Sequence, residues 1–73
     1  MPGELKSPEL ERIAQAAARV LTSDGKAAAS TYIYGALEVA GLYDMAHPSR
    51  SKLKAWEVWA IADRALEVAG TSR

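Results

Sequence analysis

The chain opens with an amphipathic pattern that predicts an α-helix over residues 8–23. Apolar residues recur there at intervals of three and four, which places them on one side of a helix and most charged residues elsewhere. Ser7 and Pro8 are typical of a helix start, because a serine oxygen can accept from a free backbone N–H and proline fits the first turn. Gly25 is expected to end this helix.

The next segment predicts a second helix, over residues 27–41, that is apolar on almost every side. Between Ala27 and Tyr43 the one formal charge is Glu38. Because a helix without a polar face is normally buried on several sides, we expect this helix at the centre, between the other two. Gly35 costs about 1 kcal/mol of helix propensity relative to Ala, which indicates a close crossing by a neighbouring helix or ring.

A third helix is predicted over residues 50–69, after a connection at residues 42–49 with room for a short extra helical turn. Ser49 or Ser51 is expected to cap it. The apolar positions assigned to its buried face are Ala55, Val58, Trp59, Ala62, Leu66 and Ala69. This assignment places Trp59 in the core and leaves Trp56 on an exposed flank.

These segments together predict an all-α fold, a compact three-helix bundle with helices at about 8–23, 27–41 and 50–69. At 73 residues the chain is one domain. We expect a flexible N-terminal arm at residues 1–7, a single helical domain at 8–70 and a frayed tail at 71–73.

Composition argues against an enzyme and against a bound cofactor or metal. The chain has no Cys and a single His, His47, which cannot build the tetrahedral site that zinc prefers. Asp44 could orient His47, but no nucleophile stands at a recognised spacing. No apolar run approaches the length of a membrane span, and the N-terminus is unlike a signal peptide, so we expect a cytoplasmic protein that meets no membrane.

Large aromatic residues and a short basic segment are the candidate binding residues. Tyr and Trp are enriched at interface hot spots, because they bury much area and keep a polar tip. The candidates are Tyr34, Tyr43 and Trp56, with the cations Arg50, Lys52 and Lys54. The leading hypothesis is a regulator, adaptor or inhibitor that docks these residues onto a larger protein or protein complex.

Two alternatives use the same features. The three cations near the start of the third helix also suit a small helix-turn-helix-like transcription regulator that binds DNA, although zero net charge disfavours a general polyanion binder. A homodimeric structural module would instead cover the surplus apolar area of the second helix by self-association.

Overall fold

The computed structural model describes residues 7–71, and these form the predicted all-α three-helix bundle. The elements are α1 (Pro8–Asp24), α2 (Lys26–Val39), a 3₁₀ turn (Pro48–Arg50) and α3 (Ala55–Thr71). The predicted arm and tail fall mainly outside this range, at residues 1–6 and 72–73. Of their remaining residues, Ser7 caps α1 and Thr71 is the last residue of α3.

The start of α1 confirms the sequence prediction. The Ser7 hydroxyl accepts a hydrogen bond from the Leu10 backbone N–H at 3.3 Å, and Pro8 follows in the first turn. At the other end Gly25 alone joins α1 to α2, with φ 96° and ψ 177°. Side chains rarely allow that backbone conformation, so the joint depends on glycine.

The end of α2 is closed by a second glycine. Gly41 has φ 75°, and its N–H donates to the Glu38 carbonyl at 3.0 Å, while the Leu42 N–H donates to the Leu37 carbonyl at 2.8 Å. These paired bonds form a Schellman motif. It ends α2 at Val39, two residues before the predicted end, and brings Leu42 against the core.

The prediction that α2 lies at the centre is wrong, because α1 takes that place. α1 packs against both other helices, whereas α2 and α3 contact each other only slightly. The buried side of α1 is built largely from Ala14, Ala17 and Ala18. Alanines at these positions let a helix approach closely from each side, which explains why the amphipathic helix, rather than the most apolar one, is in the middle.

The core is small and made of aliphatic side chains from all three helices. Leu37 and Ile61 are its largest fully buried members. The core residues are Ile13, Ala14, Ala17, Ala18, Ile33, Leu37, Val58, Ile61 and Ala65. Among the described residues no further element covers the outer sides of α2 and α3, where Val39, Trp56 and Trp59 are largely exposed.

The third helix begins at Ala55, five residues later than predicted. The preceding segment is held in another conformation, since the backbone N–H groups of Lys52 and Leu53 both donate to the Leu42 carbonyl, at 3.0 and 3.1 Å. The Ser51 hydroxyl accepts from the Asp44 N–H at 2.8 Å, so it fixes the connection and does not cap α3.

The actual cap of α3 uses a glutamate, and neither predicted serine takes part. The Lys54 backbone N–H donates to Glu57 Oε1 at 2.8 Å, and the Lys54 carbonyl accepts from the Glu57 N–H at 2.9 Å. This is half of a capping box, with Lys54 in place of the usual Ser or Thr. Gly70, one residue beyond the predicted end of the third helix, lies inside α3.

One polar cluster fixes the rotation of α3 relative to α1. Arg64 Nε lies 3.1 Å from both carboxylate oxygens of Glu11, and Arg64 Nη2 lies 2.9 Å from Oε2 of the same group. Two further bonds complete the cluster. Gln15 Nε2 donates to Glu11 Oε2 at 2.7 Å, and Arg64 Nη1 donates to Glu67 Oε1 at 2.7 Å. The hydrogen bonds that Arg64 donates to Glu11, and next those to Glu67, raise the pKa of Arg64 above its ordinary value, so the guanidinium stays charged. This contact turns the Arg64 side of α3 toward α1.

Candidate functional site

The side of α3 that faces away from α1 carries the largest exposed apolar side chains of the described residues. Trp56 is 64% exposed, Trp59 is 66% exposed and Leu66 is 46% exposed. Together with Asp63, which is also exposed, they are spaced by three, four and three residues and so share one side of the helix. We call Trp56, Trp59, Asp63 and Leu66 the α3 outer face; at 1.5 Å per residue it is about 15 Å long.

The prediction that Trp59 belongs to the core is therefore wrong. α3 carries two apolar stripes, and the buried one runs through Val58, Ile61 and Ala65. Periodicity alone does not choose between two stripes of similar strength, and the bulk of the indole favoured the wrong one. A signal that separates them is Arg64, because a cation one position before Ala65 can reach an acid on α1 only if Trp59 faces outward.

The charges along α3 change sign from one end to the other. Lys52 and Lys54 are exposed just before the helix, and Asp63 and Glu67 are exposed in its second half. The Trp pair lies between these two groups. A partner on this face therefore meets cations at one end, aromatic rings in the middle and carboxylates beyond them.

The basic segment does not lie on a helix in the way that the DNA-binding alternative requires. Arg50 is in the 3₁₀ turn, Lys52 is in the irregular segment after it, and Lys54 is the residue before α3. A recognition helix carries its DNA contacts on its own first turns. This placement gives the DNA-binding alternative no support, and it stays a prediction.

Arg50 borders a different feature from the two lysines. It lines a shallow depression of about 350 Å³ at the end of α2, and Glu38, Tyr43 and Asp44 are among the other residues that line it. The depression thus has two carboxylates and one guanidinium at its edge. Arg50 is exposed and available to a partner, but it belongs to this mixed-charge depression.

Tyr34 and Tyr43 form a ring pair that supports the fold. Their ring centroids are 5.3 Å apart, with an angle of 55° between the ring planes. Both side chains are half-buried and pack against the core. The pair holds the connection against α2, so much of the area expected to face a partner is already covered.

The Asp44 carboxylate turns the backbone rather than orienting a histidine ring. Its Oδ1 accepts from the backbone N–H groups of Ala46 and His47, both at 3.0 Å. His47 itself is exposed. Over residues 7–71, no group of three or more His, Cys, Asp or Glu side chains could hold a metal ion, and none of the described helices is long and apolar enough to cross a membrane.

A second exposed apolar surface lies on α2. It consists of Ala28, Tyr32, Gly35 and Val39, which we call the α2 outer face; Val39 is 91% exposed. The expected close neighbour of Gly35 is not there, since a Cβ built on this residue meets no atom within 4 Å. Tyr32 and Val39 also border a groove between α2 and the start of α1.

Comparison of the chain with protein-family models, with curated proteins and with solved structures gave no match. Function is therefore inferred from the physical properties of the α3 and α2 outer faces.

Proposed function

We propose that this protein is a small non-enzymatic protein-binding module that docks its α3 outer face onto a larger protein and so acts as a regulator, adaptor or inhibitor. The observation that carries the proposal is the exposure of Trp56 and Trp59, one helical turn apart and each about two-thirds accessible. Monomeric proteins rarely leave large contiguous apolar patches uncovered. Tryptophan is also the residue type most enriched among interface hot spots.

The area available sets what these residues can contribute. With about 250 Å² for a whole Trp side chain, two-thirds exposure of each leaves roughly 330 Å² for a partner to cover. At about 25 cal/mol per Å² this is roughly 8 kcal/mol of gross stabilisation. Association costs about 4–15 kcal/mol, so the indoles form the centre of an interface that must extend to neighbouring residues.

The charges next to the two indoles indicate which charges the partner should carry. Acidic groups on the partner would face Lys52 and Lys54, and a cation would face Asp63. An apolar pocket between them would receive the two indoles. Such a charge pattern raises the association rate and fixes the orientation more than it adds affinity, so the association rate should fall with added salt. Arg50 and Tyr43 border the separate depression at the end of α2 and are not part of this docking face.

The test compares partner capture by matched variants. Three forms of the protein are immobilised in equal amounts: the full chain, the double variant Trp56→Ala/Trp59→Ala, and Val39→Ala as a control on the α2 outer face. The proteins that each form captures are then quantified. We expect a partner that the full chain and the control retain equally. We expect the double variant to bind this partner at least about 30-fold more weakly, which is the effect of removing one or more hot-spot residues.

Two results would overturn this proposal. One is a partner that binds the double variant as well as the full chain, while circular dichroism shows that the variant is folded. The other is the absence of any protein whose capture depends on the two tryptophans.

A further inference from the structure

We infer that the α3 outer face pairs, in antiparallel orientation, with the same face of a second copy of this chain, and that a docking partner must displace that copy. The pairing itself is independent of the proposed function. The competition between copy and partner rests on the proposed function, because both occupants cover Trp56 and Trp59. Self-pairing thus regulates docking through the protein's own concentration.

The order of charges along α3 selects a second copy as the occupant. Cations precede the helix and exposed carboxylates lie in its second half, so this face is complementary to itself when two helices run in opposite directions. Lys52 and Lys54 of one copy then lie beside Asp63 and Glu67 of the other. A parallel orientation brings like charges together, which is unfavourable.

The indoles and the charges place the two-fold axis at the same point. In the sequence, the midpoint between Trp56 and Trp59 is also the midpoint between Lys52 and Asp63. An axis there sets each Trp56 opposite Trp59 of the second copy. It also brings each Lys52, on its long flexible stem, near Asp63 of the second copy. A surface that meets itself in this way satisfies the condition for an isologous interface.

The charged residue nearest this axis does not face the second copy. Glu57 is two residues from Trp59, or about 200° around the helix, so it lies on nearly the opposite side of α3. Its carboxylate accepts from the Lys54 backbone N–H at 2.8 Å. The exposed side chains of Lys52 and Asp63, in contrast, form no ion pair within residues 7–71. They are therefore available to a second copy.

The area of contact sets the expected strength. Two copies supply four indoles, and two-thirds exposure of each leaves roughly 660 Å² to be covered. Leu66 and the stems of the flanking lysines bring the total to roughly 1,000 Å², the lower limit for a specific interface. We therefore expect a weak and reversible dimer, with a dissociation constant of roughly 10–1,000 µM, as displacement by a partner requires.

Sedimentation equilibrium of the purified full chain tests the inference, over about 10 µM to about 1 mM protein at low salt. The weight-average mass should rise from the monomer value of 7.8 kDa toward twice that value. The double variant Trp56→Ala/Trp59→Ala should stay at the monomer mass over the same range.

Charge reversal gives the decisive comparison. In Lys52→Glu, and likewise in Asp63→Lys, both charge pairs of the dimer become repulsive, so each variant alone should have a dissociation constant at least about tenfold higher. In an equimolar mixture, both pairs between unlike copies are attractive again, so the mixture should regain most of the mass increase. Both residues are exposed, so neither reversal should disturb the fold.

Matched controls separate this effect from that of net charge. Lys26→Glu and Asp24→Lys change the net charge by the same amounts, but these exposed residues lie at the joint of α1 and α2. Each control alone should associate as the full chain does.

Four results would overturn the inference. These are a monomer mass at every concentration, association that survives in the double Trp variant, a mixture that associates no better than either α3 charge variant alone, and controls weakened as much as those variants. The proposed function fails separately. Trp-dependent capture by a chain that stays monomeric supports docking and overturns self-pairing, whereas self-association with no captured protein supports the pairing and overturns docking.

Discussion

The rotation of α3 is the structural fact on which the α3 outer face depends, and one pair of substitutions tests it. Ile61 is fully buried, whereas Trp59, two residues earlier, is two-thirds exposed. Replacing each residue by alanine in turn, and comparing the losses in the free energy of unfolding, shows which of them belongs to the core. The larger side chain is the exposed one, so side-chain size and burial predict opposite orders of effect.

The magnitudes follow from the exposed areas. Ile61→Ala removes three buried carbon atoms, at about 0.8 kcal/mol each, and leaves a cavity, which brings the expected loss to about 2–5 kcal/mol. For Trp59→Ala, at most about 80 Å² of buried area is lost, or about 2 kcal/mol. Better helix propensity returns about 0.5 kcal/mol, and the alanine Cβ keeps part of the contact. We therefore expect about 1 kcal/mol.

Urea denaturation followed by far-ultraviolet circular dichroism, at low protein concentration, measures both losses. A domain of this size has a free energy of unfolding of about 4–11 kcal/mol, so Ile61→Ala removes a large part of it. The equivalent fall in Tm is roughly 8 °C or more. The slope of the transition should stay the same in both variants, which shows that the same surface is exposed on unfolding.

The opposite order would refute the reasoning. If Trp59 were in the core, Trp59→Ala would cost about 3–5 kcal/mol. Ile61→Ala would then cost under about 1 kcal/mol, as surface substitutions do. In that case the α3 outer face would not exist, and the proposed docking surface would be withdrawn with it.

Three further predictions concern the glycines, the polar cluster and the indoles. Gly25→Ala should lower the free energy of unfolding by about 1–3 kcal/mol in urea, because its φ of 96° suits glycine alone. Gly35→Ala, the matched control inside a helix, should raise it by about 0.5–1 kcal/mol; equal signs for the two would contradict the assigned geometry. Arg64→Lys should lower the Tm, because lysine cannot form the two-pronged contact with a carboxylate. An unchanged Tm in Arg64→Lys would show that a positive charge, without the two-pronged geometry, is sufficient for the contact with Glu11. The single-Trp variants Trp56→Phe and Trp59→Phe should both emit at long wavelength and be quenched equally by iodide, and one blue-shifted, protected indole would show that a ring is buried.

Sequence patterns predicted the elements of this fold better than their arrangement. α1 has one apolar side and an unambiguous start at Ser7 and Pro8, so its bounds were predictable to within one residue. α2 was assigned to the centre because it is the most apolar helix. Its apolar residues are spread around its circumference, however, and only Ala29, Ile33 and Leu37 are buried. Apolar content alone therefore did not show which helix could accept two neighbours.

The candidate site was predictable only in part, for a similar reason. Trp56 and the two lysines adjoin one another in sequence, so their proximity required no tertiary information. Trp59 and Leu66 were missed because their side of α3 becomes exposed only after Arg64 is paired with α1. Tyr34 and Tyr43 were assigned to the surface because their pairing joins a helix to an irregular connection, which no periodic pattern reveals.

The central position of α1 has a consequence for any shortened form of the protein. Because α2 and α3 scarcely touch, each depends on α1 for the surface that covers its apolar side. A fragment of residues 26–71 keeps two helical sequences but loses their shared support, and we expect its circular dichroism to show mostly unfolded chain. A fragment of residues 7–43 retains one complete helix pair and should keep measurable helicity. Truncation can therefore remove α3 and leave a helix pair that folds, whereas removal of α1 leaves no folded part.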